Sequence, residues 1–208
     1  MNTLFSLDKS TNTLLYRQQP TLIRVINTQS DFAAKATQCG DEYALLALLF
    51  AHSREVQIPP VGVIGPKEAT DEQYQVAKQL GQRLAQLGLT IVCGGRNGVM
   101  EAVCLGVHLA GGQSIGILPG DHWTEANQYV TFPIVTNMGP TRNSLIAQTA
   151  FALIAVGGGY GTLTEMAFGL HYNKPVFALA NAPEVDGVKY YEDIDPILHR
   201  VIDALLQR

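Results

Sequence analysis

From Pro60 onward, short apolar runs alternate with longer segments whose apolar positions recur every three or four residues. PVGVIG, LTIVCGG, SIGILPG, FALIAVGG and KPVFALA are short runs rich in β-branched residues, the mark of buried strands. YVTFPIV reads as a further strand. Between them, Ala77, Leu80, Leu84 and Leu87 fall on one face of a helix over 70–87, with Thr70 and Gln73 as a capping box and Gly88 as its stop. Helices are also expected over 99–110, 140–149 and 162–172. A last one runs over 196–206, with Asp195 as N-cap and Pro196 at its first position. Strands alternating with helices predict an α/β fold: a Rossmann-like, doubly wound parallel sheet with helices on both faces.

Residues 1–58 follow another pattern, and IPP at 58–60 marks the expected boundary with a main domain over 59–208. Leu4–Leu7 and Thr13–Arg17 predict short strands around the polar turn 8–12, and Leu22–Ile26 a third. A helix is expected from Ser30 to His52, broken at Gly40. Its second half, EYALLALLFA, is apolar on nearly every side and has to be covered by the main domain or by a partner chain.

Composition narrows the function classes. Of 208 residues, 47% are hydrophobic and 15% charged, a charge content below the usual quarter that points to an oligomer. The net charge of -4 argues against nucleic acid as a partner. No apolar run reaches membrane-spanning length, and the first residues lack the basic stretch of a signal peptide, so a cytoplasmic protein is expected. Cys39, Cys93 and Cys104 form no CxxC pair and are expected as reduced thiols, and the five histidines have no metal-ligand spacing.

The candidate chemistry gathers at the ends of strands, where open α/β sheets bind ligands. Three glycine-bearing segments stand there: Gly65-Pro66-Lys67, Gly94-Gly95-Arg96-Asn97-Gly98, and Gly157 to Thr162. The last two lead straight into helices. Glycines let backbone N–H groups approach an anion, and a helix start adds partial positive charge, so these loops predict a site for a small phosphate-bearing ligand. A dinucleotide fingerprint does not follow the first strand, and the second ends in Cys93-Gly94-Gly95 without the acidic residue a ribose requires, so NAD is not expected. No glycine is followed by lysine, which excludes a Walker A loop. Gly112–Gly116 matches GxSxG, but Ser114 sits where a helix enters a strand, the reverse of a nucleophile elbow.

Two charged residues accompany the loops. Thr162 and Glu165 have capping-box spacing, which by itself accounts for both; alternatively Glu165 stands beside a phosphate loop, free to bind ribose hydroxyls or to move a proton. Arg142 is expected in the first turn of its helix, where a cation opposes the helix dipole and calls for a compensating anion. Lys67 is a further candidate cation, and Glu101 either favours its helix start or repels a phosphate placed too close.

GGRNGVMEA (94–102), GILPG (116–120), TRN (141–143) and GGGYGTLTE (157–165) together resemble the Lonely Guy phosphoribohydrolase superfamily over about residues 60–180. That superfamily also holds proteins labelled possible lysine decarboxylases, molybdenum cofactor carrier proteins and, distantly, DNA-processing proteins. Gly158, Gly159, Gly161, Thr162 and Glu165 fit its PGGxGTxxE motif, with Gly157 in place of proline. Glu101 stands where the first motif has glycine, and Asn143 where an Arg-Lys dipeptide has lysine. These departures, with GILPG and FPIVTNMG, resemble the carrier branch. The resemblance implies Arg142 and Glu165 as a catalytic pair for cleaving the N-glycosidic bond of a nucleoside monophosphate. It also implies Gly65, Lys67, Gly94, Gly95, Asn97, Gly98, Met100, Gly158, Gly159, Tyr160, Gly161 and Thr162 as ligand-binding residues. The implied cargo or substrate is molybdenum cofactor or a nucleoside monophosphate, and the implied assembly a homodimer or homotetramer; no lysine has a pyridoxal-phosphate context.

Overall fold

The computed structural model describes residues 4–207, the side chains of Tyr43, Phe50 and Ser53 excepted. Seven parallel strands form the main sheet: β5 (Val61–Ile64), β6 (Ile91–Cys93), β7 (Ser114–Leu118), β8 (Phe132–Val135), β9 (Leu153–Val156), β10 (Val176–Leu179) and β11 (Lys189–Tyr190). Their order across the sheet is β11-β10-β9-β5-β6-β7-β8. The sequence therefore winds outward from β5 in one direction and then returns to wind outward in the other. β5, β6, β9 and β10 are buried at every position, as strands covered on both faces must be.

One face carries α3 (Asp71–Gln86), α4 (Val99–Leu109) and α7 (Ile194–Leu205); the other carries α5 (Asn143–Thr149) and α6 (Tyr160–His171). The capping box at α3 is present: Gln73 N–H donates to Thr70 Oγ1 at 3.2 Å, and Thr70 N–H to Gln73 Oε1 at 3.1 Å. Ala77, Leu80 and Leu84 point into the core as the spacing predicts. α3 and α4 cross through two glycines. A Cβ on Gly106 would strike the Lys78 carbonyl oxygen, and one on Gly81 the Val103 carbonyl oxygen.

Residues 4–57 build a four-stranded antiparallel sheet, β1 (Phe5–Asp8), β2 (Thr13–Tyr16), β3 (Gln19–Val25) and β4 (Val56–Gln57), with α1 (Asp31–Ala36) and α2 (Glu42–Ala51). The break at Gly40 is real. Ser30 caps α1 and Asp41 caps α2, each accepting a backbone N–H three residues on. This layer packs on α3 and α7, and its Phe5, Leu14, Ile23 and Leu49 belong to the same continuous apolar core as Leu80, Leu84 and Val201.

Two expectations change. α7 starts at Ile194 with Asp193 as N-cap; Asp195 instead meets Arg83 Nη2 at 2.8 Å, and Pro196 stands third, where its missing N–H costs nothing. α6 starts at Tyr160 with Gly159 as N-cap, so Thr162 lies inside the helix and makes no capping box with Glu165. Of the two covers open to EYALLALLFA, the main domain supplies one: Leu45, Leu46 and Leu49 of α2 are buried in the shared core, while Tyr43 and Phe50 lie outside the described side chains. Exposed apolar side chains gather instead around the edge strand β8: Trp123, Phe132, Ile134, Val135 and Met138.

Candidate functional site

β5 and β9 are neighbours, yet the chain leaves them toward opposite faces, into α3 and α6. Such a reversal opens a crevice at the carboxyl ends of the two strands. Gly65-Pro66-Lys67 and the loop after Val156 border that crevice.

The loop after β9 turns through Gly157 (φ +60°) and Gly158 (φ +154°), conformations that a side chain would strain. A Cβ on Gly158 would also lie 2.7 Å from Thr162 Cβ. Gly159 and Gly161 are different. Neither has a positive φ; a Cβ on Gly159 would meet nothing within 4 Å, and one on Gly161 only Asn143 Nδ2 at 3.9 Å. Nothing in the chain requires these two to be glycine. Their bareness leaves the start of α6 open from outside. That start has no side-chain cap, and only Leu163 of the first turn finds a carbonyl, that of Gly159. The N–H groups of Tyr160, Gly161 and Thr162 have no acceptor in the described chain.

The loop after β6 is tied to its neighbours. Val99 N–H donates to Pro66 O at 3.1 Å, and Gly95 N–H to Cys93 Sγ at 3.3 Å. The Asn127 side chain and backbone hold the carbonyls of Gly95 and Arg96. Gly98 (φ +67°) caps α4, and Gly95 (φ +72°) lies against the Cα of Gly116. The chain thus takes the Val99 and Gly95 amides, while the N–H groups of Arg96, Asn97, Gly98 and Met100, like those at the start of α6, have no acceptor in the described chain. Beneath this loop, Cys93 and Cys104 are free thiols 3.6 Å apart.

Arg142 ends the 3-10 turn over 139–142 that leads into α5. Its guanidinium is buried; it donates from Nε to Ile117 O at 2.8 Å, from Nη2 to Gly94 O at 3.4 Å, and from Nη1 to Asn143 Oδ1. Gly94 has no side chain because one would collide with that guanidinium. Nη1 lies 3.8 Å from Glu165 Oε1. In place of the anion expected there, the guanidinium is met by the Ile117 and Gly94 carbonyls and the Asn143 amide oxygen. Asn143, where the sequence showed only a departure from a motif, is a brace: its Nδ2 donates to Thr164 Oγ1 at 3.0 Å and to Gly161 O at 3.3 Å, tying α5 and Arg142 to the first turn of α6.

Glu165 is 6% exposed, and burial raises its carboxyl from 4.5 to about 8, with the Arg142 guanidinium pulling the other way. Desolvation outweighs the ion pair at 3.8 Å, so at neutral pH this carboxyl is mostly a neutral acid. Burial also lowers Arg142, but a guanidinium stays charged.

Gly65, Lys67, Met100, Arg142, Gly159, Gly161, Thr162 and Glu165 line one cavity of about 310 Å³, with Pro66 and Asn143. Of the remaining expected residues, Gly94 lies beneath Arg142, Gly95 and Gly98 shape the loop after β6, and Gly158 shapes the turn. Asn97 and Tyr160 are exposed and stand outside the lining, Tyr160 at 90%. A second cavity of about 470 Å³ adjoins the first across Lys67, Met100, Arg142 and Asn143 and adds Arg96, Pro119, Gly120, Glu125, Gly139 and Pro140. Glu125 was not singled out from sequence; only its distance of five residues from GILPG hinted at it. Ser114 of the GxSxG decoy is buried at the opposite end of β7, held by Tyr129 O and Thr131.

A doubly wound parallel sheet with glycine-bordered cavities at its winding reversal defines a Rossmann-like protein of the Lonely Guy type. The chain belongs to the SLOG cluster4 family (LDcluster4), which it matches over residues 59–200. It is 36% identical to an uncharacterized protein of Archaeoglobus fulgidus over 149 residues, 72% of this chain and 98% of that one. It is 32% identical to a probable cytokinin riboside 5'-monophosphate phosphoribohydrolase of Oryza sativa subsp. japonica, covering 66% of this chain and 58% of the rice protein. Among solved structures, the molybdenum cofactor carrier protein of Chlamydomonas reinhardtii superposes with a TM-score of 0.67 at 34% identity, over 72% of this chain and 99% of that one. The molybdenum cofactor binding protein of Rippkaea orientalis does so at 0.66 and 33%, over 70% and 96%.

Proposed function

We propose that this chain binds a small phosphate ester at the start of α6, as a carrier of the molybdenum cofactor type. The observation that carries this reading is the uncapped first turn of α6: the Tyr160, Gly161 and Thr162 N–H groups have no acceptor in the described chain, and Gly159, Gly161 and Thr162 line the cavity, two of them glycines that the fold itself does not need. Helix N-termini of this kind accept phosphate through aligned N–H groups and the helix dipole. Lys67 adds a cation at the rim, and a neutral Glu165 offers a proton where an ionised one would repel the ligand. The similarity to carrier proteins over nearly their whole length supports the choice of cargo. Protein purified from a cofactor-producing host should release a pterin on denaturation and rebind it. No pterin, and no binding of added cofactor, removes the carrier reading.

Gly161→Ala separates binding from folding. Inside α6 and away from other atoms, alanine should leave stability unchanged or raise it by up to about 1 kcal/mol. It should weaken binding of phosphate esters by at least about tenfold, since the methyl stands where the ligand approaches. Calorimetric titration with ribose 5-phosphate beside a thermal melt checks both halves; unchanged affinity sinks the proposed phosphate position.

A second reading, a nucleoside 5'-monophosphate phosphoribohydrolase, is favoured by the Arg142–Glu165 pair beside that cavity. A carboxyl near 8 can give its proton to a departing base as a general acid, and the phosphate end supplies positioning. Free base and ribose 5-phosphate should then appear from AMP or an N6-substituted AMP. Cleavage that persists in Glu165→Ala rules out this mechanism.

A further inference from the structure

The second cavity has a polar feature at its far end that phosphate binding does not use. Glu125 reaches into it from the 3-10 turn over 123–125. Its carboxylate lies so close over Gly120 that a Cβ there would collide with Oε1. Gly120 has no positive φ, and its missing side chain leaves the room that the carboxylate occupies. Arg96 Nη1 is 3.9 Å from Glu125 Oε2, too far for a hydrogen bond, and no group in the described chain donates to the carboxylate. The seat over Gly120 thus presents to the cavity an acceptor-only group that is 30% exposed and open to a ligand's donors. Between it and the α6 end, the lining includes Met100, Pro119 and Pro140, an apolar bed for a flat ring.

Resting on the phosphate reading, we propose that Glu125 is a specificity-determining residue that reads a ring with two adjacent N–H donors, the 2-amino-4-oxopyrimidine edge shared by guanine-type and pterin-type phosphate esters. Such an edge gives a carboxylate two parallel N–H···O bonds, the strong bidentate arrangement. Adenine presents a donor beside an acceptor, so one carboxylate oxygen would face a lone pair. Hypoxanthine keeps the ring N–H and lacks the amino group. Phosphate at the α6 end and the carboxylate at the other end fix the direction of the ligand, with Lys67 and Arg142 between them.

Calorimetric titration of the full chain with ribose 5-phosphate, GMP, IMP, AMP and 6-hydroxymethylpterin phosphate tests this. GMP and the pterin ester should each bind at least about tenfold more tightly than IMP and AMP, as expected when a site built to pair two donors meets a ring lacking one. Glu125→Gln should abolish that preference and leave ribose 5-phosphate affinity unchanged. Gly120→Ala should do the same by displacing the carboxylate without altering its chemistry. The ratio of pterin ester to GMP affinity tells the two sources apart. Equal affinity for all four ring-bearing esters, or a preference that survives Glu125→Gln, overturns the proposal and leaves the phosphate site standing. If ribose 5-phosphate does not bind, both fall.

Discussion

Glu165→Gln is expected to flatten the pH dependence of stability in the unliganded protein. Between 4.5 and about 8 the native carboxyl holds a proton that the unfolded chain releases. Unfolding then sheds a proton, so native stability falls as pH rises through that window and levels off above about 8. At about 1.4 kcal/mol per unit, the whole effect is roughly 5 kcal/mol at most. Glutamine imitates the protonated form and keeps Arg142 bonded to the Ile117 and Gly94 carbonyls and to Asn143. The variant should match the parent near pH 5 and exceed it at pH 9 in urea denaturation. Parallel curves for the two proteins across that range would show that the carboxyl does not titrate there. The same proton governs binding: phosphate ester affinity should drop above pH 8 in the parent and hold in the variant.

Gly106→Ala is expected to destabilise the protein by about 3 kcal/mol or more, although an alanine in a helix interior is ordinarily an improvement. The sign reverses because the obstacle is backbone. The new methyl would press on the Lys78 carbonyl and come within 3.0 Å of Gln82 N, neither of which can swing aside. α3 and α4 have to separate, and Val99 and Met100 at the start of α4 move with them. Loss of thermal stability should therefore come with weaker phosphate ester binding. A melting temperature within a degree of the parent would mean that the crossing has slack.

The fold was legible because its strands and helices differ in both length and period. β5, β9 and β10 are continuous apolar runs, and α3 shows a clean face with its own capping box. β4 and β11 were invisible, since two residues carry no period. The starts of α6 and α7 were misplaced because residues of capping type, Thr162 and Asp195, stood within the first turn of helices whose N-caps, Gly159 and Asp193, make no side-chain cap bond. At the site, glycine spacing located the loops but not their state. Whether an amide is free depends on acceptors from other segments, such as Pro66 O, which takes the Val99 N–H. Asn143 and Glu125 were legible only once tertiary contacts placed them, one against Arg142 and the other over Gly120.

The reversal between β5 and β9 has a mechanical side. The crevice lies on a seam, with α3 and α4 on one face of the sheet and α5 and α6 on the other, and its walls are drawn from both. A molecule lodged there is a rivet through two sheets of material. Occupancy should slow amide hydrogen exchange in Met100 of one layer and in Thr162 of the other together, so that a single small guest is felt across the whole thickness of the protein.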